Sequence, residues 1–567
     1  MAKTDIPVKE LVNKVRRKEL LLPEMQRKYV WPATRVRDLL DSLYRDYPSG
    51  SILVWETDED VVTREIAVNS DQQPTTVNKQ LLLDGQQRIT SLAAILSGEP
   101  VNVRNRKRPI DILFNLDHPE GPPIEVLEVD ENDSQPDIDE IDEDVSETDL
   151  QEELKKRTFV VASRSLKNDP KWVPVSDIFN KDHSEILQRA SVTSFTDPHY
   201  KLYASRLQKV KHIEEYMYVM HLLDKNMSYE EVTEIFVRVN SLGVKLRGSD
   251  LALAQITAKW KGFLQLMDDF AATFDDDADY IFDWLLVRLL TVFATKQSKF
   301  KTIGRYPKEK LEAAWETSKK SLSFAMNFLR KNAGIDNLEY LSASPLVIPI
   351  AVYAQLHDEQ LSVDEEKKLL KWFFFAHMRG HYSMGSSESI LDADLSILFK
   401  GGSLDDLLQK LKDHVKRFEL EPGELVGKGI RSPMFAMMYF ILKHNGAKDW
   451  LTGLQLSDKT LGETHKIQYH HIFPKSLLND LHIDPKEINE IANLAFIGGK
   501  TNRHILNKEP MVYFTKEIIP KRGEDALTSQ LIPIDKSFWE MSSFPKFLIY
   551  RREAISNMIN EFLKRFE

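Results

Sequence analysis

Between Glu128 and Glu153 the chain places 14 acidic side chains in 26 residues, with no lysine or arginine among them. Such a stretch buries too little apolar surface to offset the entropy of ordering it, so it reads as a disordered or loosely held loop. The strand-like segments on either side must therefore leave and return around it. Across all 567 residues the formal net charge is -11, but without this segment 76 basic side chains stand against 73 acidic ones. The body of the protein is close to neutral, and one insertion supplies the negative balance.

At roughly 100 to 200 residues per domain, the length implies about three or four domains. The composition, 42% hydrophobic and 29% charged, is that of a soluble globular protein. With no cysteine in the chain, disulfides, thiolate metal sites and cysteine nucleophiles are excluded. The opening Met-Ala-Lys-Thr-Asp lacks the basic-then-apolar profile of a signal peptide, and no apolar run has membrane-spanning length. A cytoplasmic protein with no membrane partner is expected.

Before the acidic insertion the pattern alternates strand and helix. Ser51 to Trp55, Gln80 to Leu83 and Pro109 to Leu116 have strand length, and Ile89, Leu92, Ala93 and Leu96 recur at helical spacing up to Gly98. Arg157 to Ala162 reads as a returning strand. From about Pro198 the helical period dominates. Ser228 and Glu231 form a capping-box pattern ahead of Val232, Ile235, Phe236 and Val239 on one face. Helical patterns continue at Leu285 to Phe293, Leu346 to Tyr353, Glu365 to His377 and Pro433 to Leu442. Near the C-terminus the order is strand around Ile467 and Tyr469, loop, strand Leu494 to Ile497, a Gly498-Gly499 turn, and a helix after Thr501.

Two places carry chemistry. Leu81-Leu82-Leu83 feeds into Asp84-Gly85-Gln86-Gln87-Arg88, where a helix begins. Gly85 permits a tight turn, the helix N-terminus can face an anion, and Arg88 is a fork suited to phosphate. Asp84 offers a carboxylate to a metal ion or a sugar hydroxyl, and Gln86 and Gln87 could orient water. A buried Asp84–Arg88 pair that merely secures the turn satisfies the same residues. The second place is Gln468-Tyr469-His470-His471-Ile472-Phe473-Pro474, followed by Asn493 and Asn502. Adjacent strand residues normally point to opposite faces, a constraint that twist at a strand end can release.

The first motif, preceded by Pro23-Glu24-Met25-Gln26-Arg27-Lys28-Tyr29-Val30-Trp31 and followed by Phe236-Val237-Arg238-Val239-Asn240-Ser241-Leu242-Gly243, resembles the ParB/sulfiredoxin-like N-terminal domain of GmrSD-type (GmrSD/BrxU/SspE-like) type IV restriction proteins. The resemblance implies binding and hydrolysis of a nucleoside triphosphate (GTP, CTP, UTP or ATP). Asp84, Gly85, Gln86, Gln87 and Arg88 would then form the nucleotide motif, with Gln26 and Arg27 as further contacts. No G-x-x-x-x-G-K-[S/T] loop is present, so the hydrolysis would not be of the Walker type.

His-x-x-Pro, then Asn-Leu-Ala-Phe-Ile, then Lys-Thr-Asn-Arg resembles the ββα-metal fold of HNH nucleases, in the variant that closes GmrSD-type proteins. That pattern implies His471 as general base, Asn493 orienting its imidazole, and His470 and Asn502 as ligands of a divalent metal. Phosphodiester hydrolysis needs a deprotonated water and a cation to neutralise developing charge, and imidazole suits the base. Where the family usually has Asp or Glu before the base, this chain has His470. Imidazole removes a negative charge and favours a borderline ion, so manganese or another transition metal is expected to serve as well as magnesium.

For DNA contacts the candidates are the basic cluster Arg104, Arg106, Lys107 and Arg108, and the run from Lys296 to Lys310 with Phe300 and Tyr306 interleaved. Tyr47 and Pro48, in Tyr47-Pro48-Ser49-Gly50-Ser51, resemble a Y-P-x-x-S segment that senses phosphorothioate DNA in SspE proteins. Arg379 to Glu388 is either a nucleic-acid contact or a helix-linking turn. The acidic segment is either a linker or a strip that competes with DNA phosphates.

The fold expected is therefore multidomain α+β and predominantly helical. Residues 1–260 would form the ParB-like α/β domain with the acidic insertion at about 119–156, 261–429 a helical connector, and 430–567 the HNH domain embedded in helices. The function expected is NTP-dependent cleavage or nicking of modified phage duplex DNA, with a homodimer able to address both strands. The alternatives are a nucleotide-gated DNA-binding adaptor with an inactive nuclease domain, or an HNH toxin acting on unmodified DNA or RNA.

Overall fold

Ile52, Leu53, Val54 and Trp55 are all buried, which a strand achieves only when both faces of its sheet are covered. In the computed structural model, which describes residues 2–26, 31–59, 61–64, 66, 79–99, 101, 109–121, 154–162, 164–242, 248–274, 279–335, 338–456 and 469–566, that strand lies inside a mixed sheet. The chain divides into two units, Met1–Leu264 and Gln265–Glu567.

The first unit contains β1 (Ala2–Pro7), α1 (Val8–Arg16), β2 (Leu20–Pro23), α2 (Ala33–Tyr44), β3 (Ile52–Glu56), β4 (Thr63–Arg64), β5 (Gln80–Asp84), α3 (Gln86–Leu96), β6 (Ile112–Asn115), β7 (Phe159–Val161), β8 (Trp172–Pro174) and β9 (Met217–Leu223), among other elements. Six strands form one sheet in the order β1-β9-β3-β5-β2-β4. Side-chain alternation assigns each strand residue to a layer. Ile52, Val54 and Leu82 pack with α1, α2, α3 and the helix Tyr200–Lys211. Leu53, Trp55, Leu81 and Leu83 pack instead with Tyr229, Val232, Phe236 and Ala254. Ser228 and Glu231 make the expected capping box ahead of the helix Tyr229–Leu242. On its expected apolar face Val232 and Phe236 are buried, but Val239 is 44% exposed.

β6 pairs antiparallel with both β7 and β8 in a separate three-stranded sheet. Its ends explain how the fold accommodates the acidic segment. Asn115 donates to the carbonyls of Lys155 and Arg157, and Arg45 donates to the carbonyl of Gly121 and the hydroxyl of Thr158. The chain thus leaves and returns beside one hairpin. Most of the insertion lies outside the described residues, as do Arg27 and the cluster Arg104 to Arg108.

The second unit is mainly helical, with Asp279–Thr295, Lys308–Phe328, Val347–Leu356, Val363–Met378, Ser387–Phe399, Leu404–Val415 and Pro433–His444 as its larger helices before the histidine pair. The Arg379 to Glu388 segment takes the helix-linking alternative. Arg379 pairs with Glu424 at 2.7 Å, and His381 and Tyr382 both bond the buried carboxylate of Asp394.

The C-terminal order of strand, strand and helix is present, but shorter and shifted. His470–His471 itself forms β10, paired antiparallel with β11 (Leu494–Ala495), whereas Ile467 lies outside the described residues. Asn493 does not open β11; it closes the turn Ile491–Asn493 ahead of it. The next helix, Gly499–Ile505, begins before Thr501 and places Asn502 in its first turn.

Candidate functional site

At the first site β5 carries Asp84 to the edge of a turn that only glycine fits comfortably. Gly85 has φ +98°, and a Cβ there would lie 2.5 Å from Ile52 Cδ1. The helix α3 follows at once with no side-chain N-cap, leaving its first backbone N–H groups without partners inside the helix.

The side chains of this motif are already engaged with the fold. Arg88 donates to the carbonyls of Ser49 and Ser51, and to Asp84 at 3.3 Å. Three of its five N–H donors are thus taken, and its guanidinium lies 5.8 Å from the Tyr218 ring centroid. This matches the alternative in which an Asp84–Arg88 pair secures the turn, except that the pair is not buried: the Asp84 side chain is 37% exposed. Gln86 is buried, and Gln87 accepts from the backbone N–H of Trp31 at 3.1 Å. Gln26, expected at the nucleotide, donates to the carbonyls of Leu82 and Leu83 and so ties its own segment to β5.

The Tyr47 to Ser51 turn belongs to the same constellation. Arg88 Nη1 occupies the space a Cβ on Gly50 would need, and Gly50 has φ +94°. Ser49 donates to the Tyr218 hydroxyl at 2.8 Å, while the Tyr216 hydroxyl donates to the carbonyl of Tyr47. Tyr47, 47% exposed, and Pro48 stand outward on this frame.

At the second site the two histidines take different partners, as neighbours on a strand should. His470 Nδ1 donates to Asn502 Oδ1 at 2.7 Å. Burial, opposed by the Asn502 hydrogen bond, pushes the His470 pKa down to about 4, and the ring is neutral near pH 7. Its Nε2 is buried and accepts no hydrogen bond among the described residues, with Trp450 and Tyr513 set edge-on at ring-centroid distances of 6.0 and 5.9 Å. His471 Nε2 lies 3.1 Å from Asn489 Oδ1, an acceptor, so the ring carries its proton on Nε2 and its lone pair on Nδ1.

Asn493 does not orient that imidazole. Its amide oxygen accepts from Phe473 N–H, and its NH2 donates to the carbonyls of Phe473 and Ile488. It braces the backbone just after His471. The orienting contact expected of Asn493 is made instead by Asn489, at the end of the short helix Pro485–Ile488.

Asp449 is a second residue that the motifs did not point to. It accepts from Thr501 Oγ1 and Gly498 N–H, securing the start of the helix that bears Asn502. Burial raises its pKa, but hydrogen bonds from Thr501, Thr452 and Gly498 outweigh that and hold the carboxyl below its ordinary range. Neither Asn489 nor Asp449 lies in a spacing that distinguishes it from surface residues.

Among the described residues no group of three or more His, Asp or Glu side chains is arranged to hold a metal ion. A cation here would depend on mixed ligands. The His470–Asn502 pair fits one only with the ring proton moved to Nε2, which frees Nδ1, 2.7 Å from the Asn502 amide oxygen, to share a borderline divalent ion with it.

No described helix is long and apolar enough to cross a membrane. Residues 8–257 match the family described as GmrSD restriction endonuclease, N-terminal domain. An uncharacterized protein of Methanocaldococcus jannaschii is 22% identical over 545 residues, covering 90% of this chain and 86% of the relative.

Proposed function

We propose, from the match of residues 8–257 to the family described as GmrSD restriction endonuclease, N-terminal domain, that the chain is an NTP-dependent endonuclease that cuts or nicks modified phage DNA. The first unit binds the nucleotide at the Asp84–Arg88 turn, with backbone N–H groups of α3 facing the phosphates. Arg88 acts there as a positioning residue, holding the Tyr47–Ser51 turn against the nucleotide motif. Tyr47 and Pro48 stand on that frame to meet the modified duplex.

The second unit supplies an HNH-type site. The observation that supports it is a strand–strand–helix unit in which His471 is fixed by Asn489 while its strand neighbour His470 contacts Asn502. His471 Nδ1 takes the proton of the attacking water, and the Asn489 contact at Nε2 stabilises the imidazolium that results. Asn493 keeps the backbone of Phe473 in place, and with it the strand end that carries the base. His470 and Asn502 would hold a divalent cation, which neutralises charge on the phosphorane and the leaving oxygen when bound. Two copies of the chain would address both strands.

The test is nicking of supercoiled plasmid and of phage genomes with different modifications, with each NTP and with magnesium or manganese. Loss of nicking in His471→Ala with DNA binding retained is expected. Retained nicking in that variant, or cleavage of RNA in preference to DNA, refutes the assignment.

A further inference from the structure

In the second unit, residues 296–306 hold four basic side chains, Lys296, Lys299, Lys301 and Arg305, and no acidic one; Lys308 and Lys310 follow directly. The segment is clamped from behind. Arg288, buried, donates to the carbonyl of Ser298 and to Glu388 at 2.8 Å, and its guanidinium lies 3.7 Å from the Phe300 ring centroid. Ser298 N–H donates to Asp392, and Ser298, Phe300 and Ile303 are buried. That inward set leaves Lys296, Lys299 and Arg305 exposed on the opposite side. None of these three makes an ion pair among the described residues.

Two features run against folding stability. Lys296 has φ +59°, a left-handed conformation that glycine or asparagine adopts with less strain. Lys308 and Lys310 fall in the first turn of Lys308–Phe328, where the helix dipole disfavours cations. Lys308 is offset by Glu312 at 3.4 Å, and Lys310 lies 4.1 Å from the Tyr306 ring centroid. Glu309 is the other acidic group on this stretch.

We infer that this face, centred on Lys296, Lys299 and Arg305, binds the phosphate backbone of duplex DNA without reading its sequence. Outward cations on a rigid segment are what counterion release requires, and little of their energy is spent on intramolecular ion pairs. The inference rests on the DNA endonuclease reading above.

The test uses full-length protein and a labelled unmodified duplex, with affinity measured across a salt series. In K296E/K299E/R305E the slope of log K against log salt should become shallower by about 0.9 for each phosphate that is no longer neutralised, with weaker binding at low salt. Lys296→Gly should also show a shallower slope, by the share of one phosphate, while its Tm stays at or above that of wild type, which separates binding from folding. Wild-type slope and affinity in a folded triple variant would overturn this inference and leave the nuclease reading standing. Absence of salt-dependent DNA binding by the wild-type chain would overturn both.

Discussion

Asn489 Oδ1 lies 3.1 Å from His471 Nε2, and this contact sets which ring nitrogen carries the proton. Asn489→Ala should lower the nicking rate roughly 10- to 100-fold, the usual cost of removing an orienting partner. Asn489→Asp should move the acid limb of the pH–rate profile upward, because a carboxylate favours the imidazolium. A pH–rate profile unchanged in both variants would remove Asn489 from the mechanism.

His470→Asp should restore the negative charge that this type of site usually carries. The expected outcome is a shift of metal preference toward magnesium, measured as the ratio of nicking rates in magnesium and manganese. An unchanged ratio would show that His470 does not touch the cation.

Arg88 and Gly50 together distinguish a nucleotide-contacting arginine from one that builds the turn. Gly50→Ala places a methyl group against Arg88 Nη1 in a left-handed backbone, at a cost of about 1–3 kcal/mol. If Arg88 acts through the Tyr47–Ser51 turn, Gly50→Ala and Arg88→Lys should both depress NTP hydrolysis. Normal phosphate release from Gly50→Ala beside a dead Arg88→Lys would instead assign Arg88 to the nucleotide alone.

His377 provides a pH test of stability in the second unit. Burial pushes its pKa down to about 3, and the backbone N–H of Ser342 donates to its Nδ1. The folded state therefore keeps the ring neutral where the unfolded chain protonates it, below about pH 6.5. The unfolded state binds more protons in that window, so stability is full above it and falls with acidification toward pH 3, by up to ~1.4 kcal/mol per pH unit. Urea unfolding between pH 7 and 5 should show a shallower pH dependence in His377→Gln than in wild type. Parallel curves would contradict the burial argument.

Replacing Glu128 to Glu153 with a short neutral linker should preserve folding, since Arg45 and Asn115 hold both ends of the excursion. DNA binding at low salt should tighten if the segment competes for a basic face. An unchanged salt slope would make it a linker only.

Much of this arrangement is written in local pattern. The apolar runs at Ile52 and Leu81, the Ser228 capping box and the turn at Gly85 are each legible because period, glycine and cap residues act over a few positions, whereas the pairing of His470 with Asn502 was implied only by the HNH resemblance. What tertiary structure alone decided is the partner of each polar side chain. Arg88 could face a phosphate or Ser49 and Ser51, and Asn493 could hold an imidazole or the backbone of Phe473. Hydrogen bonds are satisfied by whatever chain segment packing brings within about 3 Å, and that segment can be dozens of residues away. The acidic stretch shows the same division. Its charge predicts a loop rather than a core element, whereas only the tertiary structure showed that the strands described on either side of it, β6 and β7, pair directly with each other.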